Sequence, residues 1–168
     1  SRVSHLFDDI LDMSEIESSE MIFEYVSLNC NQVLKSTYNR LKQRADKKGI
    51  ELVLELSENE LVIKTDWMKL EKIVYAIAEN AIKYTMQGKV VLRSFVFSKF
   101  AYITITDTGD GMNQEDIKYL LEPFSQEEQG YTRKYQGAGL GLAIASKLTK
   151  MMGGLFEIVS RKQTGTKV

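Results

Sequence analysis

The segments NAIKYT (80–85), DTGDGM (107–112) and GAGLGLAI (137–144) follow one another along this chain. The first ends an amphipathic helical pattern, the second follows an alternating strand pattern, and the third opens an apolar helix. Each segment is a weak signal alone, since a sequence such as DTGDG also suits a hairpin turn or a calcium-binding loop. Their order and spacing together predict one binding pocket built from three elements.

The side chains of these segments suit a ligand with a flat base and a charged chain. Asn80 offers an amide oxygen to a cation such as Mg²⁺, which prefers oxygen ligands and keeps several waters. Asp107 follows a strand, where its carboxylate can accept a hydrogen bond from an exocyclic amine. Gly109 and Gly111 allow a tight turn and a close approach to a flat base. We therefore predict a nucleotide pocket.

Three glycines, at 137, 139 and 141, precede the apolar helix of the third segment. Free backbone N–H groups and the positive end of the helix dipole favour an anion at such a position. A lone GAGLGL also resembles a dinucleotide fingerprint, but that fingerprint follows the first strand of its unit. Here the glycines come late and follow a polar segment, so we expect them to bind phosphate in another fold.

The remaining sequence predicts an α+β fold, a two-layer sandwich. Helices are indicated at 29–48, 67–85, 113–121 and 139–152, and strands at 21–28, 51–57, 61–66, 89–98, 100–107 and 155–161. We expect a mixed, largely antiparallel sheet covered on one face by three helices. The segment between Met112 and Gly137 lacks apolar periodicity, and its position beside the glycines predicts a lid.

Residues 1–19 predict a further helix outside the sandwich. Its apolar residues are spaced by three or four positions: Val3, Leu6, Phe7, Ile10, Met13 and Ile16. This spacing is typical of the seam of a coiled coil or four-helix bundle. Because an isolated helix would expose the stripe to water, we expect a partner helix.

Composition narrows the functional classes. The chain has 22 basic and 23 acidic residues, which argues against a general nucleic-acid or membrane surface. The single cysteine, Cys30, excludes an internal disulfide, and one histidine with one cysteine makes a structural zinc site unfavourable. The sequence shows neither a membrane-spanning apolar run nor a signal-peptide pattern, so we expect a cytoplasmic location, with any membrane anchor of the parent outside this chain.

These motifs resemble the ATP-binding catalytic domain of sensor histidine kinases of two-component systems, including the hybrid type. The wider family includes gyrase, heat-shock chaperone and mismatch-repair ATPases. EPFSQ (122–126) is similar to the box before the ATP lid, TRKYQGAGLGLAI (132–144) to the lid end and glycine box, and MMGG (151–154) to the turn after the next helix.

The resemblance also implies a division of the chain. DILDMSEIES (9–18) is similar to the end of a dimerisation helix. Residues 1–19 would then be the C-terminal part of that helix, and 20–168 the catalytic domain, with the lid at about 113–136.

The resemblance implies a role for each motif residue. Asn80 would ligate Mg²⁺ and link it to the triphosphate, and Lys83 would supply a point charge to phosphate. Asp107 would accept a hydrogen bond from the adenine amino group, with Tyr84 beside the base or ribose. The other cofactor-binding positions would be Gly109, Gly111, Met112, Gly137, Gly139, Leu140, Gly141 and Leu142.

The implied reaction is transfer of the γ-phosphoryl of ATP to a histidine. Arg133 or Lys134, in the lid, would reach the γ-phosphate and stabilise its charge. The acceptor would belong to a dimerisation helix outside this chain, because His5 is followed by Leu6 and not by an acidic residue. A response-regulator receiver would then take the phosphoryl group, and the full-length protein would be a homodimer.

One departure from the family pattern leaves alternatives open. Ala76 stands four positions before Asn80, where the family usually has a polar residue. Glu79 is rotated by about 100° around the helix from Asn80 and is a poor substitute. A catalytically degenerate nucleotide-binding or docking module that regulates a partner kinase is therefore the main alternative. A gyrase-type ATPase would need an acid at position 76 to activate water.

Overall fold

The computed structural model describes residues 2–122 and 140–168. Within them, the helices are Arg2–Glu17 (α1), Cys30–Lys48 (α2), Trp67–Tyr84 (α3), Gln114–Leu121 (α4) and Gly141–Met151 (α5). The strands are Val26–Asn29 (β1), Ile50–Glu55 (β2), Val62–Thr65 (β3), Gly88–Phe97 (β4), Phe100–Asp107 (β5), Val159–Arg161 (β6) and Gly165–Lys167 (β7).

The main sheet has five strands in the order β2-β4-β5-β7-β6. Only β2 and β4 are parallel, and the other pairs are antiparallel. Helices α2 and α3 pack on β2, β4 and β5, and α5 packs beside α3. This arrangement confirms the predicted sandwich, with a mixed, largely antiparallel sheet and three helices on one face. Strands β1 and β3 form a separate antiparallel ribbon.

The core lies between the helices and the inner face of the sheet. On β4, alternate residues point inward, as the period of a strand requires, and Val90 and Leu92 are fully buried. The helices contribute apolar residues from one face each. These include Val33, Leu34, Leu41 and Ala45 of α2, Ile73, Val74, Ile77 and Ile82 of α3, and Ile144 and Leu148 of α5.

Two predicted strands are shorter in the structure. The predicted strand 21–28 is paired only from Val26, because its partner β3 has four residues. The predicted strand 155–161 is paired only from Val159, because β7 offers three. An apolar pattern marks extended chain, but the length of the ladder depends on a partner elsewhere in the sequence.

Helix α1 packs partly on the sandwich itself. Met13 and Ile16 are buried, and α1 contacts α5. On α3, Lys72 forms ion pairs with Asp9 and Asp12 of α1. Phe7 and Ile10 of the predicted seam are 61% and 43% exposed. The sandwich therefore covers the seam at Met13 and Ile16 and leaves Phe7 and Ile10 open to solvent.

The single cysteine is not in a reactive environment. Cys30 opens α2 and is fully buried, and this burial raises the pKa of its thiol to about 11, so the reactive thiolate is disfavoured. In the part of the chain that the structure describes, every helix is too short or too polar to cross a membrane.

Asp66 begins α3 and joins it to the segment before β1. Its Oδ1 accepts a hydrogen bond from the N–H of Lys69 at 2.9 Å, and its Oδ2 accepts one from the N–H of Glu24 at 2.8 Å. The side chain is buried, so both donors would lose their partner in a dry environment if it were removed.

We predict that Asp66→Ala lowers the free energy of unfolding by about 2 kcal/mol, the upper end for loss of an N-cap. Asp66→Asn keeps one acceptor and should cost less. Asp46→Ala, on the exposed face of α2, removes a surface ion pair with Lys42 and is the matched control. Urea unfolding followed by circular dichroism measures the free energy of unfolding of each variant. The prediction would be contradicted if Asp66→Ala lowered this free energy by no more than Asp46→Ala.

Candidate functional site

A cleft enclosing about 660 Å³, partly open to solvent, lies between α3, the end of β5 and the turn that follows it. Most of its wall is apolar, and a few polar groups converge on it, which is typical of ligand sites. Its lining residues are Ile77, Asn80, Ala81, Tyr84, Ile105, Asp107, Asp110, Gly111, Met112, Leu120, Leu142, Ile158, Thr166 and Val168.

Helix α3 contributes one face to this cleft. Ile77, Asn80, Ala81 and Tyr84 have the spacing of a single helical stripe. The amide nitrogen of Asn80 is buried and has no hydrogen-bond partner among the described residues. Such a group costs about 1–3 kcal/mol when it is left unpaired. A hydrogen-bond acceptor in the cleft would satisfy this nitrogen.

The end of α3 is held by a lysine from the neighbouring helix. The Lys48 ammonium group donates to the carbonyl oxygens of Ile82 and Lys83 at 2.7 and 2.5 Å. These carbonyls belong to the last turn, where a cation is favoured by the helix dipole. Burial, together with the nearby Arg44, lowers the pKa of Lys48. This contact fixes the turn that carries the cleft residues of α3.

Asp107, the last residue of β5, supplies the carboxylate of the cleft. Its Oδ1 accepts from the N–H of Gly109 at 2.8 Å and from the N–H of Thr166 at 3.3 Å. Burial raises the pKa of this carboxyl group, and the two hydrogen bonds partly oppose the shift. Among the described residues, both hydrogen bonds end on Oδ1, so Oδ2 is left for a ligand.

The glycines of the turn are required by contacts within the protein. A Cβ at Gly109 would lie 2.9 Å from the carbonyl oxygen of Tyr84. Gly111 has a φ of +64°, and a Cβ there would lie 2.0 Å from the carbonyl oxygen of Arg161. Gly111 lines the cleft, whereas Gly109 packs behind it. Their smallness thus serves the packing of the turn on α3 and β6, a reason that the sequence analysis did not anticipate.

The start of α5 approaches the cleft with only some of the predicted residues. Leu142 lines the cleft, but Leu140 and Gly141 do not. A Cβ on Gly141 would lie 3.6 Å from the Cβ of Ala76. Helix α5 therefore begins in contact with Ala76, the residue that departs from the family pattern. The predicted phosphate and lid residues Gly137, Gly139, Arg133 and Lys134 lie outside the described residues.

Two charged residues near the end of α3 have distinct positions. The Lys83 ammonium lies 5.2 Å from the centroid of the Tyr84 ring, beside the cleft and not in its lining. Glu79 forms an ion pair with Arg44 of α2, as its helical phase predicts. No group of three or more metal-ligating His, Cys, Asp or Glu side chains occurs in residues 2–122 and 140–168.

Several lining residues were not predicted. Ile77 and Ala81 could have been found, because they share the helical stripe of Asn80. Thr166 reaches the cleft because β7 pairs with β5 and places it opposite Asp107. Nothing local in the sequence near Thr166 signals this contact.

The comparison with known families defines the class of protein. Residues 65–168 match the family described as "Histidine kinase-, DNA gyrase B-, and HSP90-like ATPase". This range is more than half of the chain and includes all three motifs, and the chain belongs to this family.

Individual relatives narrow the class to sensor kinases. The chain is 33% identical to the "Non-motile and phage-resistance protein" of Caulobacter vibrioides, over 97% of its own length and 20% of that protein. It is 31% identical to the "Sensor histidine kinase GacS" of Pseudomonas protegens, over 96% of its length and 18% of that protein. The chain thus spans about a fifth of these relatives.

A solved structure agrees. Full-length ShkA in complex with AMPPNP superposes with a TM-score of 0.85 at 27% identity, over 97% of this chain and 34% of that one. The family and fold predictions are confirmed: the chain belongs to the histidine kinase-like ATPase family and has the fold of histidine kinase catalytic domains. The residue roles within the site remain predictions.

We predict that Gly111→Ala destabilises the fold by more than Gly153→Ala. Both glycines have positive φ, but a Cβ at Gly153 would meet nothing within 4 Å. Backbone strain alone should cost Gly153→Ala about 1–2 kcal/mol. Gly111→Ala adds the collision with the Arg161 carbonyl. Thermal unfolding measures both, and equal losses would contradict the packing role of Gly111.

Proposed function

We propose that this cleft binds Mg·ATP and that the domain transfers the γ-phosphoryl group to a histidine on a dimerisation helix. One observation carries the proposal: Asn80, whose amide nitrogen has no hydrogen-bond partner among the described residues, lines the same largely apolar cleft as Asp107, whose two hydrogen bonds among those residues both end on Oδ1. The Asn80 amide can offer its oxygen to a cation and its nitrogen to a phosphate oxygen, and the Asp107 carboxylate can accept from an amine, so the two side chains suit the two ends of a nucleotide.

At the base end, Asp107 Oδ2 would accept a hydrogen bond from the adenine amino group. Met112 and Leu142 would contact the base from the apolar wall, and Tyr84 would pack beside the base or ribose. The hydrogen bonds to Oδ1 hold the carboxylate in place before the ligand arrives, so little side-chain freedom is lost on binding.

At the metal end, Asn80 fits Mg²⁺. This ion usually takes one or two protein oxygens and completes its shell with phosphate and water. A site with one amide oxygen and no carboxylate cluster among the described residues is consistent with this coordination preference. When bound, Mg²⁺ would neutralise phosphate charge, and Asn80 would fix the position of the ion relative to the base.

The phosphates would lie along the start of α5. The N-cap Leu140 has no polar side chain and makes no capping bond, so it does not occupy the first N–H groups of α5, which would donate to an anion. We assign phosphate contacts to the backbone of Gly137, Gly139, Leu140 and Gly141. Lys83 adds a charge, and Arg133 or Lys134 would stabilise the transferring phosphoryl group.

The histidine would come from a helix of the parent protein. We assign residues 1–19 to the C-terminal part of the dimerisation helix, residues 20–168 to the catalytic domain and about 113–136 to the lid. The uncovered stripe of α1, with Phe7, Ile10 and Leu11 exposed, suits the homodimer that such helices form. A response-regulator receiver as the next acceptor, and a cytoplasmic location, complete the proposal.

A degenerate, regulatory nucleotide-binding module is the second candidate. The observation that favours it is Ala76, whose methyl group faces Gly141 and puts no polar group beside Asn80. The same alanine argues against a gyrase-type hydrolysis of ATP, which needs an acid there to activate water.

We predict that the chain binds ATP in a Mg²⁺-dependent manner and that Asp107→Asn weakens binding by at least about tenfold, the scale of one hydrogen bond. The new amide would turn a donor towards the adenine amino group. Titration calorimetry with and without Mg²⁺ measures this, with Asp46→Asn on the exposed face of α2 as the control. Undiminished affinity in Asp107→Asn would remove Asp107 from base recognition.

The fold of Asp107→Asn can be checked through its pH dependence. Because burial raises the pKa of Asp107 from 3.8, the protonated form favours the folded state. Its contribution to stability is complete below the unfolded pKa and is lost as pH rises through the folded pKa. The wild type should therefore lose stability relative to Asp107→Asn as pH rises from 3.8. Weak ATP binding by a variant that is at least as stable at pH 7 reports on the site.

Phosphotransfer separates the two candidate functions. With a histidine-bearing dimerisation helix supplied, the chain and labelled ATP should give acid-labile phosphohistidine, and Asn80→Ala should reduce the rate by at least about a hundredfold, the lower end for loss of a charge-stabilising group. Glu79→Ala, one position away and rotated by about 100° around the helix, should transfer normally, because Glu79 pairs with Arg44 and does not line the cleft. ATP binding without transfer would favour the regulatory module, and steady phosphate release would indicate hydrolysis.

A further inference from the structure

The hydroxyl group of Ser160, on β6, joins three backbone segments beneath the cleft. Its Oγ accepts a hydrogen bond from the N–H of Met112 at 2.8 Å. It donates to the carbonyl oxygen of Gly165 at 3.0 Å, and it lies 2.8 Å from Oγ1 of Thr166. Ser160 itself does not line the cleft, but Met112 and Thr166 both do.

The number of hydrogens fixes the direction of the third bond. A serine hydroxyl has one hydrogen to donate and two lone pairs that accept. The N–H of Met112 can only donate and the carbonyl of Gly165 can only accept, so all three contacts are satisfied together only when the hydrogen of Ser160 points to Gly165. The bond between the two hydroxyl groups can then form only if Thr166 donates to Ser160.

This direction decides what Thr166 offers to a ligand. Because its hydroxyl hydrogen points to Ser160, Oγ1 of Thr166 presents only lone pairs elsewhere. The neighbouring acceptor is the Asp107 carboxylate. Its Oδ1 accepts a hydrogen bond from the N–H of Thr166 at 3.3 Å, which leaves Oδ2 as the acceptor that a ligand would meet. The polar groups at this end of the cleft are then acceptors, which suit an amino group and repel a carbonyl.

We infer that Ser160 is a positioning residue for base selectivity: by holding the Thr166 hydroxyl as an acceptor, it makes the cleft prefer a 6-amino purine to a 6-oxo purine. The inference rests on the proposed ATP binding. Without the Ser160 hydroxyl, Thr166 can rotate and donate its hydrogen to a carbonyl oxygen in the cleft. Selectivity between the two bases then falls, while the phosphate and metal contacts are unchanged.

The test compares the affinities for ATP and inosine triphosphate, which differ in the group at position 6 of the base. Titration calorimetry in the presence of Mg²⁺ gives the ratio of the two dissociation constants. Ser160→Ala should lower the preference for ATP by about tenfold, the scale of one hydrogen bond. Ser160→Thr keeps a hydroxyl group and should restore the ratio.

Ser94→Ala is the matched control. Ser94, on β4, is buried, accepts from the N–H of Ser57 at 3.1 Å and donates to Oδ1 of Asn31 at 2.6 Å, away from the cleft. Its removal should lower stability and leave the ATP preference unchanged. A loss of selectivity in Ser94→Ala equal to that in Ser160→Ala would mean that general destabilisation explains both, and would overturn the inference.

Thr166→Val tests the same idea when Ser160→Ala does not fold. It removes the hydroxyl group with little change in shape, and it should also lower the preference for ATP. When both variants fold, Ser160→Ala should cause no further loss in the Thr166→Val background, since the two residues act through one bond. An additive loss would overturn the inference.

The failures of the two proposals are distinguishable. If the wild type binds ATP in preference to inosine triphosphate and Ser160→Ala keeps the full preference, only the role of Ser160 is wrong. If the wild type binds neither nucleotide, ATP binding in this cleft is wrong, and the inference falls with it.

Discussion

The carboxylate of Asp107 is the contact on which the cleft depends. One oxygen accepts the N–H of Gly109 and the N–H of Thr166, so it ties the end of β5 to the turn and to β7. The loop after β5 packs Gly109 against the C-terminal end of α3. The carbonyl oxygens of this helix end accept hydrogen bonds from Lys48. A single half-buried acceptor therefore sets the relative position of the sheet edge, the turn and the helix that line the site.

Much of the fold follows from patterns that are local in the sequence. The alternation through Val90 and Leu92 predicts β4, and the stripe from Ile73 to Tyr84 predicts the buried face of α3. The same stripe carries Asn80 into the cleft, so one periodicity specifies both packing and binding. The position of Glu79, about 100° around α3 from Asn80 and towards Arg44 of α2, follows from the same geometry.

The remaining features depend on pairings between distant segments. Strand β7 has three residues and no distinctive pattern, yet its register with β5 brings Thr166 to Asp107. The hydroxyl pair of Ser160 and Thr166 depends on that register and on the register of β6. Gly111 was predicted for its approach to a base, but the carbonyl of Arg161 determines its need for glycine. Steric demands of this kind cannot be read from a motif before the topology is known.

The site also links ligand binding to stability. The unpartnered amide nitrogen of Asn80 costs free energy when the cleft is empty, and the raised pKa of the half-buried Asp107 shows that desolvation disfavours its charged form. A ligand that satisfies both groups binds only the folded state and stabilises it by mass action. Helix α3 also carries Lys72, which pairs with Asp9 and Asp12 of α1. The helix that lines the cleft is therefore also the helix that holds α1 through ion pairs.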